Sequence, residues 1–200
     1  MAPIAPATFI PAGYLRKSVV TCPGWLANDG VDDIYSVSGC VSSDFVEDYV
    51  PFWGHNGYWL FDSPEEIDAV ANQAKTGLNG TTLFYYELYP YAFVAAESEP
   101  KPMAEGTACH GRWEAVSPES SLSTSVAVPK RRQLWGYDIV THHNGPGCSP
   151  LSCNSLATQI AVNRHCLLPT LDATTSALIE GRVVECEPGP YRIYAVYRPE

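Results

Sequence analysis

The chain has 200 residues, 46% of them apolar and 17% charged, enough to bury a core without help from a metal or disulfide. Twelve basic against 22 acidic residues give a net charge of −10, which repels phosphate backbones and anionic bilayers and argues against nucleic-acid or membrane partners. Seven cysteines at irregular spacing, a proline-broken N-terminus and the absence of a bilayer-length apolar run lead us to expect a soluble, cytoplasmic protein with reduced thiols.

The first candidate strand is Arg16-Lys17-Ser18-Val19-Val20, followed by a turn at Cys22-Pro23-Gly24 and a second strand at 33–38. Ser42 or Ser43 can cap a short helix carrying Phe45, Val46 and Tyr49 on one side. Tyr58-Trp59-Leu60-Phe61 reads as a short buried strand. Ser63-Pro64-Glu65-Glu66 then forms a capping box with proline at the first helical position. The helix it starts places Ile67, Val70, Ala71 and Ala74 on one face and should stop near Gly77, before an aromatic strand at 82–89.

Residues 97–131 are rich in proline, serine and threonine and read as a connection, with a possible strand at 112–116. Beyond it, the pattern predicts a strand at 137–141, a helix from about Ser149 to Gln159 and a short strand at 165–168. A Thr170-capped helix ending at Gly181 and a last strand at 191–197 complete the chain.

The later elements echo the earlier ones. Asn56 to Glu65 matches Asn163 to Asp172 at an offset of 107, and Tyr86-Glu87-Leu88-Tyr89 matches Tyr194-Ala195-Val196-Tyr197 at 108. The expectation is an α+β fold of two pseudo-repeated βαβαβ-type units, ferredoxin-like in arrangement, forming mixed sheets with helices on one face. Residues 1–96 would be the first unit, 97–131 the connection and 132–200 the second unit, all in one globular domain.

The densest chemistry lies in Thr141-His142-His143-Asn144-Gly145-Pro146-Gly147-Cys148-Ser149-Pro150-Leu151-Ser152-Cys153. A thiol at a helix N-terminus ionises below its usual value of about 8.5, and His142 or His143 could fold back onto Cys148 or Cys153 as a Cys–His nucleophile pair. Against this, the Gly/Pro loop is needed to turn the chain, and adjacent histidines on a strand point opposite ways. Cys148, Cys153, His165 and Cys166 offer zinc-type donors, but their spacing is wrong for a zinc knot, so no metal and no cofactor is expected. No phosphate loop, dinucleotide fingerprint or serine elbow is present.

The aromatic segment 52–59 is the competing candidate. Trp53, His55, Tyr58 and Trp59 could line a binding surface, facing Asn144 and Ser149 of the second unit, although core packing equally accounts for Tyr58 and Trp59. The reading carried forward is a binding module whose groove, lined by Trp53, His55, His142 and His143, receives a small molecule or a protein segment. The alternative is a thiol-dependent acyl-transfer or redox enzyme using Cys148 or Cys153.

Overall fold

The computed structural model describes residues 8–38, 55–95, 109–116, 125–143 and 147–200. They form strands β1 (Ile10–Ser18), β2 (Val20–Thr21), β3 (Asp33–Ile34), β4 (Thr81–Leu88), β5 (Tyr91–Ala95), β6 (Gly111–Ala115), β7 (Arg132–Thr141) and β8 (Tyr191–Pro199). Among the described residues the helices are α1 (Pro64–Ala74), α2 (Pro150–Cys153) and α3 (Leu171–Ile179), with short 3-10 turns at Gly24–Leu26 and Leu156–Thr158.

Six strands make one antiparallel sheet, and β2 and β3 form a separate small ribbon. At the centre, β8 pairs along its whole length with β7. On its other side it pairs with β4 and then, after a break at Tyr89-Pro90, with β5. β1 lies outside β4, and β6 lies outside β5.

This architecture overturns the expectation of two alternating βαβαβ units in a ferredoxin-like mixed sheet. The described residues are 35% strand and 20% helix, and the large sheet is antiparallel throughout. Three physical reasons account for the difference. The segments 58–61 and 165–168, apolar enough to pass for strands, are turns whose last residues alone, Phe61 and Leu168, bridge to Tyr14 and Tyr137. The helix expected over 149–159 stops after Cys153, because Ser155 adopts a left-handed conformation (φ 57°) before the next 3-10 turn. Finally, β5 follows the strand expected to close the first unit, and β6 comes from inside the expected connection. The helix expected after Ser42 or Ser43 falls outside the described residues.

What does correspond between the halves is a smaller device. β1 and β7 each carry a bulge closed by a glycine in a conformation other residues resist, Gly13 (φ 137°) and Gly136 (φ 151°). A Cβ on either glycine would collide with the backbone oxygen of Phe61 or Leu168, at 2.5 and 2.9 Å. Beneath each bulge sits an asparagine. Asn56 Nδ2 donates to the Ala12 carbonyl, and Asn163 Nδ2 donates to that of Trp135. Asn56 Oδ1 accepts from the amides of Tyr58 and Leu60, and Asn163 Oδ1 from those of His165 and Leu167. Both turns contain a residue forced to positive φ, Trp59 (64°) and Cys166 (57°). A hydroxyl cap follows in each half: Ser63 Oγ accepts from Glu66 N–H and Thr170 Oγ1 from Ala173 N–H. Glu66 also reaches back to the Asp62 amide, so the capping box closes one residue upstream of Ser63.

Sheet register relates the two halves. Gly13 pairs with Tyr86, Gly136 pairs with Val196, and Tyr86 pairs with Val196. The equivalent residues of β4 and β8 thus meet at their own midpoint, on a local two-fold axis. By this register Phe84, not Tyr86, is the counterpart of Tyr194, so the final strands are offset by two more residues than their tyrosines suggest.

Alternation along the strands sorts the core onto two faces. One face buries Tyr85 with Ile67, Val70 and Ala71 of α1, and Ile139, Tyr191 and Ile193 with Ala177 and Leu178 of α3. The other face buries Phe84, Tyr86, Leu88, Val140, Tyr194 and Val196, covered by Val37, Tyr58, Leu60 and Leu167 from loops. No helix among the described residues is long and apolar enough to cross a membrane.

Candidate functional site

The loop-covered face holds the polar chemistry. Asp138 of β7 is fully buried and acts as a knot. It accepts hydrogen bonds from Ser36 Oγ and the Val37 amide, both at 2.8 Å, and from Ser149 Oγ. Nearby, the buried Lys17 ammonium donates to the carbonyls of Ser36 and Ser38. Burial pushes the Asp138 carboxyl up to about 6, with the three hydrogen bonds and Lys17 opposing the shift. One carboxylate and one amine therefore fasten the 36–38 segment to the sheet and to the start of α2. Asp138 thus binds two hydroxyls and an amide.

Further along the same face, flat side chains from both halves converge. The His55 ring stacks on Trp59 at 3.8 Å between centroids, and Trp59 lies nearly parallel to His142 at 6.4 Å. His142 Nε2 is 3.3 Å from the Tyr194 hydroxyl. His55, Trp59 and His142 are half-buried, whereas their neighbours Tyr58 (4% exposed) and Leu60 (1%) are core. The left-handed backbone at Trp59 belongs to the asparagine turn, since Cys166 shares it in the other half.

Arg192 completes the cluster. It pairs with Val140 in the sheet and so emerges on the face of His142 and Tyr194. Desolvation raises the Tyr58 and Tyr194 phenols, and the Arg192 guanidinium beside both works in the opposite direction. The Tyr86 phenol, wholly buried and raised well above its ordinary range, has no hydrogen-bond partner among the described residues.

The residues singled out from the sequence separate. His55, Tyr58 and His142 meet in this cluster, while His143 is exposed, with its amide bonded to Thr141 Oγ1. Ser149 belongs to the Asp138 knot. Trp53 and Asn144 lie outside the described residues. Cys148 exchanges backbone hydrogen bonds with Thr141, and the His142 ring packs against the adjacent Gly147. Cys153 Sγ lies 3.0 Å from Ser38 Oγ.

The helix-dipole argument for a thiolate fails at Cys153. It is the last residue of a four-residue helix, at the negative end, and Ser149 makes no side-chain cap there. The zinc-type donors also scatter. His165 stacks on Tyr35 at 4.3 Å, Cys166 is buried in the core, and among the described residues no group of three or more His, Cys, Asp or Glu side chains could hold a metal.

The sequence reading overlooked Arg192 and Tyr194 and left Trp59 between a binding surface and the core. A signal existed: Arg192 interrupts the apolar strand Tyr191-Arg192-Ile193-Tyr194 on the same side as a tyrosine. Compared with known proteins, the chain matches no family model, no curated protein and no solved structure.

Proposed function

We propose that the protein is a binding module whose ligand docks against the half-buried stack of His55, Trp59 and His142. The observation that supports it is the meeting, at one place, of flat side chains drawn from the first half and from the second, all half-exposed above a buried core. Amphipathic rings of this kind supply contact area at low entropic cost and recur in binding surfaces. A packing role would bury them as deeply as Tyr58 and Leu60. The free thiols of Cys22, Cys109, Cys166 and Cys186 support a reducing, cytoplasmic setting for this activity.

The test is a fragment screen read by the indole N–H signals of the five tryptophans, with Trp59 assigned by Trp59→Phe. Planar fragments should shift Trp59 first, and Trp59→Ala should abolish their binding while leaving the unfolding midpoint within a few degrees. Fragments that settle elsewhere, or bind the Trp59→Ala protein unchanged, defeat the proposal.

A thiol-dependent enzyme is the second reading. It is supported by the packing of the His142 ring against Gly147, next to Cys148 in the chain.

A further inference from the structure

We infer that the ligand at this stack carries an oxyanion, a carboxylate or phosphate, held by Arg192 with His142 and the Tyr194 hydroxyl. This inference rests on the binding reading above and specifies the chemistry of its ligand. The Arg192 guanidinium bonds the Tyr194 hydroxyl, while its buried Nη1 has no hydrogen-bond partner among the described residues. A guanidinium donor removed from water without an acceptor is costly, and proteins resolve that cost with a carboxylate or a bound anion. Among the described residues of these strands, the carboxylate on the same face is Asp138, whose oxygens are already occupied by Ser36, Val37 and Ser149.

The surroundings suit an oxyanion. His142 and Arg192 bring two groups able to carry positive charge to one spot in a chain of net charge −10. The Tyr194 hydroxyl, 3.3 Å from His142 Nε2 and beside Arg192, provides a further donor. A guanidinium matches a carboxylate or phosphate with two parallel N–H donors, which fixes orientation as well as affinity. Trp59 and His55 then offer a flat surface to the remainder of the ligand. An oxyanion on a planar body satisfies both features at once.

Three probes separate the possibilities: inorganic phosphate, benzoate and its neutral isostere benzamide. Binding is followed at low ionic strength by the Arg192 Nε–H and Trp59 indole resonances of the intact protein. Benzoate should shift both signals and bind at least about tenfold more tightly than benzamide, as expected for a charge-assisted hydrogen-bond pair. Phosphate should shift Arg192 alone. Arg192→Gln should lose about tenfold or more in benzoate affinity while keeping that for benzamide, and Arg192→Lys should recover part of the loss.

Equal affinity for benzoate and benzamide, with Trp59 shifted by both, overturns the anion assignment and leaves the aromatic binding reading standing. Phosphate binding at Arg192 without any response of Trp59 to benzoate or benzamide keeps the anion site and removes the stack from it. Silence of both resonances to all three probes refutes both. These readings come from the wild-type protein, so they hold even if Arg192→Gln folds poorly.

Discussion

Replacing Asn56 by alanine tests whether the asparagine turn organises each half. The side chain is buried (5% exposed) and makes four hydrogen bonds. Its oxygen accepts from Tyr58 and Leu60 N–H at 2.9 and 3.1 Å, and its amide donates to Ala12 O and Asp62 Oδ1, each at 2.8 Å. Alanine strands two amides and a carbonyl in a buried site, while the half-exposed Asp62 regains solvent. At about 1 kcal/mol for each bond lost, the expected cost is about 3–4 kcal/mol. Asn163 makes three such bonds and is half-exposed, so water can replace part of what Asn163→Ala removes, at a cost of about 2 kcal/mol. Both losses fall within the stability of a typical domain, so the variants should fold and be measurable by urea denaturation at constant m. The reasoning is refuted if Asn163→Ala costs as much as Asn56→Ala, or if both cost less than about 1 kcal/mol.

Two further outcomes follow from buried titratable groups. The Asp138 carboxyl, raised from 3.8 to about 6, binds its proton more tightly folded than unfolded. Its contribution to stability is therefore full below pH 3.8 and lost as pH rises through 6, by roughly 3 kcal/mol. Subtracting the stability curve of Asp138→Asn from that of the wild type should isolate a fall over that window; a flat or rising difference would contradict the buried knot. The thiols of Cys166 and Cys186 are pushed up by burial to about 12 and about 11, whereas Cys22 is exposed. In peptide-resolved alkylation at pH 7.5, Cys22 should label about a hundredfold or more faster than either. Labelling of Cys148 or Cys153 at pH 6 as fast as that of Cys22 at pH 7.5 would move the enzyme reading ahead.

Local signals proved readable where the chemistry is local. Ser63 and Thr170 lie at the N-caps of α1 and α3, because a hydroxyl before a helix serves the same amide wherever it occurs. The matching Asn56 and Asn163 segments were visible as sequence echoes, but their apolar residues suggested strands. Nothing local reveals that an asparagine oxygen gathers two amides into a turn, since that depends on a bulge in a strand more than 25 residues away. The antiparallel sheet was missed for a related reason. Pairing of β4 with β8 joins residues about a hundred positions apart, and β-propensity does not encode partners. At the site, His55 and His142 drew notice as histidines near turns. Arg192 went unseen because its meaning comes from the face it shares with Tyr194.

The Tyr86–Val196 pair on the local two-fold axis has a consequence for any chain holding only one half. In the whole protein, each central strand finds its partner in its own counterpart. Severed between β6 and β7, either half would present that strand as an open edge, backed by a hydrophobic face and with nothing to close it. The remedy it would find is a second copy of itself, related by the same axis. Joining the halves in one polypeptide turns a contact that would depend on concentration into one that does not.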